Sequence, residues 1–447
     1  MTRVLVPSGA LGLNYDKTAL QRGLWMKPDI IAIDGGSTDS GPAYLGRGVS
    51  KYSRASTKIE WQGLMEARAK AGCPLVIGTS GTCGSDSTVD WMLEITRDIA
   101  TELGQSVKVA VLKSSQDPAD LAARFDQIAP LPAAPNIAKD DLATCTNIVA
   151  LAGAEQIQAA LDTGADIIIA GRTTDTAIIA ALPLQNGDHE GGAWHGAKIG
   201  ECGALCATNP QSGVIVVDFD ADGFTVTPLA DGAKASPHTV SAHMLYENSD
   251  PFILYEPGGH LDVSAAKYEA LDETRVRVTG SRWVRSKDYT VKLEGARVAG
   301  HQSVSLALIR DPRYVENAKA WVEDIEAKCR AKVEARLGAR DFSIELRLIG
   351  QSASFGDLEG RDITPLEIGV LGIVTAASQE LTDEIAKMLD PYLLHHPLTQ
   401  EEEQPTFAFP FSPAAIPRGP IYEFCLNHVL TVGDPMDAFR LEVHQLG

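Results

Sequence analysis

Short runs of Val, Ile, Leu and Ala recur through the first half of the chain without alternating with polar residues. They are "RVLVPSG", "DIIAIDGG", "PLVIGTSG", "VKVAVLKSS" and "ADIIIAGR". Such runs are expected of strands covered on both faces, as in a parallel sheet. Between them lie segments with helical spacing, such as "KIEWQGLMEARAKAG" and "STVDWMLEITRDIATELG". In the second, Ser87 or Thr88 would cap the start and Gly104 would end the helix. "NIVALAGAEQIQAALDTGADIIIAGR" adds another helix feeding a strand. This alternation predicts an α/β domain with a mainly parallel, Rossmann-like sheet.

Near "IVVDFDADGFTVTPLA" the texture changes to short alternating strands and Asp-Gly turns, continued by "TRVRVTGSRW". A long helix follows, from Tyr314 to Leu337, then strands at "DFSIELRLIG" and "LEIGVLGIVTAA", then the helix "SQELTDEIAKMLDPYLLHH". That order predicts a two-layer α+β domain with its helices on one face. The expected division is an α/β domain over residues 1–212 and an α+β domain over 213–447. The segment "TFAFPFSPAAIPRGPIYEF", rich in proline and aromatics, would cross a surface in extended form before a last strand, "HVLTVGD".

A chain of 447 residues is too long for one ordinary core. Its 44% hydrophobic and 22% charged residues are typical of a soluble globular protein. No apolar run approaches the roughly 18–20 residues that a membrane span needs. The opening "MTRVLVPSG" enters a strand without an apolar leader, so no secretory signal is expected. Seven scattered cysteines without a CxxC pair fit reduced thiols and a cytoplasmic location. With 59 acidic against 39 basic residues the formal charge is −20. That disfavours nucleic acid, whose phosphates must be neutralised by Lys and Arg. An anionic substrate would need a local positive pocket.

Ligands of open parallel sheets bind beyond the carboxyl ends of the strands. Here those ends carry "VPSGALG", "DGGSTDSGP", "GTSGTCGSDST", "KSS" and "GRTTD". Two of these loops share Gly-x-(Ser/Thr)-Thr-Asp, as Gly35-Gly36-Ser37-Thr38-Asp39 and Gly171-Arg172-Thr173-Thr174-Asp175. Glycine permits close backbone approach, and hydroxyls with free N–H groups can cradle an oxyanion. Gly36, Ser37, Thr38, Ser80, Thr82, Thr173 and Thr174 are therefore candidate substrate-binding residues. Arg172 would add a bidentate carboxylate clamp, and Lys113 a point charge. "GTSGTCGSD" lacks the P-loop lysine and no GxGxxG follows the first strand, so neither NAD nor ATP is expected.

The loop carboxylates are Asp34, Asp39, Asp86 and Asp175. Converging, they could hold Mg²⁺ or Mn²⁺, which want oxygen ligands, or supply a base for a proton next to a carbonyl. Asp before a helix is also a common cap, which is the competing reading. Asp39 and Asp175 stand out because their pattern repeats. Cys83 is a candidate nucleophile beside a helix start, set against a small buried residue. In "WHGAKIGECGALCA" a helix would put His195, Lys198, Cys202 and Cys206 along one face. Structural zinc sites favour paired C-x₂₋₄-C turns, so an acid–base role for His195 or Lys198 at a pocket rim is preferred. Glu256, His260, Glu294, Arg297, His301 and Arg418 lie in later turns that could approach the same edge.

The stretches "DGGSTDSGPAYLG", "WHGAKIGECGALCA", "LYEPGGHLD", "YTVKLEGARVAGHQS" and "FPFSPAAIPRGPIYEF" together resemble the acyclic terpene utilisation AtuA-like family. The resemblance runs from "VLVPSG" to "NHVLTVGDP". It implies a bacterial pathway degrading carboxylic acids or CoA thioesters, without fixing terpenes as substrates. Such proteins also look often to be encoded beside a small partner protein of about a hundred residues, which allows a hetero-oligomer. The expected assembly is a homo-oligomer, with that small subunit as a possible addition. The leading expectation is a lyase, hydratase or isomerase acting on a small carboxylic acid or its thioester without a redox cofactor. Asp39, Asp175 and His195 would do the proton chemistry. Two alternatives stand beside it. One is a non-catalytic scaffold or regulatory subunit of a degradation complex, and the other a hydrolase using Cys83 or Ser80.

Overall fold

The computed structural model describes residues 1–361 and 363–447. Its early strands are β1 (Thr2–Val6), β2 (Ile30–Asp34), β3 (Leu75–Gly78), β4 (Val107–Lys113), β5 (Ile128–Pro130), β6 (Asn147–Ala150), β7 (Ile167–Ala170), β8 (Ile215–Phe219) and β9 (Gly223–Pro228). The five apolar runs form β1, β2, β3, β4 and β7, which lie side by side in the order β1-β2-β3-β7-β4. All four pairings among them are parallel. Antiparallel strands lengthen this core on both sides into a ten-stranded sheet. β8 pairs with β1 and β9 with β8, while Arg440–Leu446 pairs with β4.

The uniform burial of these runs follows from helices on both faces. Ile31, Ile33, Leu75, Ile77 and Val109 pack with Leu20, Trp61, Leu64 and Met92, from the helices Lys17–Trp25, Arg54–Ala71 and Asp86–Leu103. Ile30, Ala32, Val76, Ala110 and Ile168 pack with Ile157, Ile178 and Trp194, from the helices Ala154–Leu161, Ala177–Gln185 and Glu190–Gly200. The chain steps from β1 to β4 in one direction across the sheet and returns to insert β7. Right-handed crossovers then require the later helices to take the opposite face. The helices after the neighbouring strands β3 and β7 thus leave on opposite sides, which opens a crevice at their carboxyl ends. The helix after β3 begins at Asp86, one residue before the expected caps, and ends at Gly104 as expected.

The chain forms two compact units, Met1–Arg297 with Phe424–Gly447, and Val298–Glu423. The texture change near residue 212 falls inside the first unit because β8 and β9 continue its sheet. In the second unit Ile368–Ala376 pairs antiparallel with residues 301–309 and with Phe342–Ile349. Its residues alternate between buried and half-buried, as a sheet with one covered face requires. The helices Ala318–Leu337 and Gln379–His395 supply Trp321, Ile325, Ile385 and Leu389 to that core. The single helix expected from Tyr314 is two, broken at Asn317. No helix among the described residues is long and apolar enough to cross a membrane.

Candidate active site

The loops after β2, β3 and β7 are packed against one another, which is the structural reason for their glycines. A Cβ on Gly35 would stand 2.6 Å from the Thr79 carbonyl oxygen. One on Gly84, whose φ is +65°, would stand 2.2 Å from the Arg172 nitrogen. Thr79 (φ 41°) and Thr82 (φ 78°) hold left-handed backbone in the same loops. For β-branched residues that conformation costs roughly 1–3 kcal/mol, and such strain gathers where a site must be held in a fixed shape.

Arg172 ties these loops together from behind. Its Nε donates to Glu294 Oε2 (3.1 Å), Nη1 to Thr79 Oγ1 (3.1 Å) and the Thr173 carbonyl (3.0 Å), and Nη2 to Thr38 Oγ1 (3.3 Å). Glu294 also accepts from the Thr38 hydroxyl at 3.0 Å and from Lys292 at 2.8 Å. Burial pushes the Glu294 carboxyl upward, but Arg172 and Lys292 outweigh it and hold it at about 2. The guanidinium is buried and its donors are engaged within the protein. The expected substrate clamp is therefore a structural knot.

In front of the knot lies a cavity of about 1090 Å³ within the first unit. Asp34, Asp39 and Asp175 line it with Gly36, Ser37 and Thr82, joined by Lys51, Tyr52, Cys202, Tyr246 and Glu247. Asn14, Asn209 and Glu247, which also line it, share the left-handed backbone of Thr82. Asp34 accepts the Gly36 N–H at 3.1 Å through Oδ2, while its buried Oδ1 has no partner. Burial first, and then the neighbouring Asp175, hold the Asp34 carboxyl well above the usual range against the pull of Arg172. Burial likewise raises Asp175; Arg172 opposes this and Asp39 adds to it. Two carboxyl groups that cannot both ionise cheaply are suited to holding and passing a proton.

A second polar cluster adjoins Asp175. Lys198 forms an ion pair with Glu201, and both are buried. Glu256 accepts from the Thr176 hydroxyl through Oε1, and its buried Oε2 is unpartnered. Burial pushes Glu256 up to about 7, with Asp175 adding to the shift. Glu201, Cys202 and His243 each offer a ligand atom within 4.8 Å of the others, a set that could hold a cation.

Of the expected substrate-binding residues, Gly36, Ser37 and Thr82 reach the cavity. Thr38, Thr173 and Arg172 form the wall behind it. Thr174 Oγ1 lies 3.1 Å from Thr176 Oγ1, and the buried Ser80 hydroxyl has no partner. Asp39 and Asp175 face the cavity together, but His195 does not join them. Its Nδ1 lies 2.7 Å from Ser281 Oγ and its Nε2 3.2 Å from the Tyr268 hydroxyl, with Phe224 against the ring. Burial lowers it to about 3, so it is a neutral core histidine. Lys198, one turn on, is the residue of that helix that reaches the site. Cys83 is fully buried, 3.4 Å from Ser85 Oγ. Lys113 is paired with Asp90 at 2.8 Å. Glu201 and His243 escaped the sequence reading because they lie 42 positions apart, outside any ligand spacing.

The family model for the acyclic terpene utilisation family protein AtuA matches residues 84–398. The chain belongs to that family. In this AtuA family chain the match takes in Arg172, Asp175, Lys198, Glu201, His243, Glu256 and Glu294. Asp34, Asp39 and Thr82 precede it, as does the stretch "DGGSTDSGPAYLG". No curated protein and no solved structure matches the chain.

Proposed function

We propose that this AtuA family chain is an enzyme of the lyase, hydratase or isomerase kind, acting on a small carboxylic acid or its CoA thioester. The observation that carries the reading is the pair of the buried Asp34 and the half-buried Asp175, which face one cavity and are both raised by desolvation, Asp175 against its ion pair with Arg172 at 3.6 Å. A carboxyl that keeps its proton beside one that can accept it supplies the acid and the base for moving a proton next to a carbonyl. Asp39 sits at the cavity wall, where Ser37 donates a hydroxyl to it at 2.7 Å. The residue roles of Asp39 and Asp175 are thus retained, and Asp34 takes the place first given to His195.

The lining bears on the substrate class. Asp34, Asp39, Asp175 and Glu247 meet a single lining cation, Lys51, among the described residues. A free carboxylate entering beside the acidic residues would be repelled. At the reacting end a thioester carbonyl escapes that cost, although the CoA phosphates do not, and a volume of about 1090 Å³ exceeds what a small acid needs. The thioester is therefore the favoured form, in a cytoplasmic homo-oligomer working with a small partner subunit. A scaffold or regulatory subunit is the second reading, but it gives no reason for strained loops converging on a carboxylate-lined cavity.

The test is proton exchange. The protein, with and without its small partner, is incubated in D₂O with acyl-CoAs and with branched and dicarboxylic acids, and deuterium at the α and β carbons is read by mass spectrometry. Exchange that Asp175→Asn reduces by about 10²-fold or more is the expected outcome for loss of an acid–base group. No exchange with any of these compounds, with or without the partner, would overturn the enzyme reading in favour of the scaffold.

A further inference from the structure

We propose that Glu201, Cys202 and His243 form a divalent-cation site of zinc type whose open position faces the cavity. One carboxylate oxygen, the Cys202 sulfur and one His243 ring nitrogen lie within 4.8 Å of one another. A tetrahedral zinc site spaces its ligand atoms by roughly 3.5 Å, so small side-chain movements close the set. Glu201 and Cys202 are adjacent just beyond the helix Glu190–Gly200, while His243 ends the helix Pro237–His243. Rigid elements therefore present the ligands from two directions.

The independent pointer is His243. It is 5% exposed, yet its Nε2 has no hydrogen-bond partner. Leaving a buried polar atom unpaired costs roughly 1–3 kcal/mol, and a bound cation is one way to satisfy such a ring. Its ring is stacked on Tyr246 at 5.5 Å and 10°, which restricts its orientation.

The surrounding charge has the right sign. Asp175 and Glu247 line the cavity together with Cys202, and Glu201 stands beside it, so carboxyl groups surround the place a dication would take. Binding would expel the Cys202 thiol proton to solvent. Lys198, paired with Glu201, is the counter-charge that an incoming cation would displace toward Asp175 and Glu256. A sulfur, a nitrogen and a carboxylate favour Zn²⁺ over the Mg²⁺ or Mn²⁺ that an all-oxygen set would take. Cys202 lines the cavity beside Asp175, so a fourth ligand would come from there, as in catalytic rather than structural zinc sites. The site stands whether or not the proton-transfer reaction above is correct.

The experiment titrates chelator-stripped protein with Zn²⁺ and with Co²⁺. One equivalent per chain is expected, with a near-ultraviolet thiolate-to-Co²⁺ charge-transfer band that Cys202→Ser removes and Cys206→Ser keeps. His243→Gln should weaken Zn²⁺ binding by at least about 100-fold, since loss of even an outer-shell partner costs 10–100-fold. Should Cys202→Ser fail to fold, mass-spectrometric mapping of thiol alkylation in the unaltered chain replaces it. Zn²⁺ must then protect Cys202 and leave Cys145 unprotected. Absence of stoichiometric binding, a Co²⁺ complex without the band, or Cys202 alkylated equally with and without Zn²⁺ overturns the proposal. Deuterium exchange persisting in the stripped protein would separate this failure from failure of the reaction reading.

Discussion

Replacing Glu256 by glutamine tests whether the carboxyl groups of the site are held protonated by burial. Burial pushes this side chain from 4.5 to about 7, opposed by the hydrogen bond from Thr176. Between those values the folded chain holds a proton that the unfolded chain has released. The contribution to stability is complete below pH 4.5 and is lost as pH rises through 7. The slope is roughly −1.4 kcal/mol per pH unit, so the window is worth about 3 kcal/mol. Glutamine keeps an oxygen for Thr176 and never ionises. Glu256→Gln should therefore match the unaltered chain near pH 5 and exceed it by up to about 3 kcal/mol at pH 8. Urea unfolding of both proteins at several pH values from 5 to 8 gives the difference. Most other titrating groups cancel in it, except the coupled neighbours Asp175 and Lys198. A difference that stays flat across the range would refute the argument that burial governs this carboxyl.

Three further outcomes follow from the same geometry. Arg172→Ala leaves Glu294 buried without its main counter-charge and should cost roughly 3–5 kcal/mol in urea unfolding. Gly84→Ala and Gly104→Ala both place a side chain on left-handed backbone, at φ +65° and +61°, but only the first meets another loop. Gly104→Ala should cost about 1–2 kcal/mol, and Gly84→Ala should lose the folded protein or several times that, read from soluble yield and melting temperature. On the acid side, burial lowers His195 to about 3 and His243 to about 4. Their stability contribution is present above pH 6.5 and lost as pH falls through about 4 for His243 and about 3 for His195, so His195→Gln should flatten the acid limb of the melting temperature against pH.

The sequence alone determined the strands of the central sheet, because residues covered on both faces must be apolar throughout, and β1, β2, β3, β4 and β7 are. It located the edge that carries the cavity as well, since loops rich in glycine and hydroxyl residues after successive parallel strands have to meet there. Asp39 and Asp175 were legible from their repeated pattern. What the pattern could not convey is which polar groups satisfy one another. Arg172 reads as a free clamp until Glu294, 122 positions away, occupies it. His195 reads as a rim acid–base group until Ser281 and Tyr268 close over both its nitrogens. The extent of the first unit was equally hidden, since β8 and β9 look like the start of a new domain but pair onto β1. Glu201, Cys202 and His243 became a cluster only when two helix ends were brought together. Periodicity is local and is written in consecutive residues. Charge pairing and ligand convergence depend on distances between remote segments, and those only the tertiary structure decided.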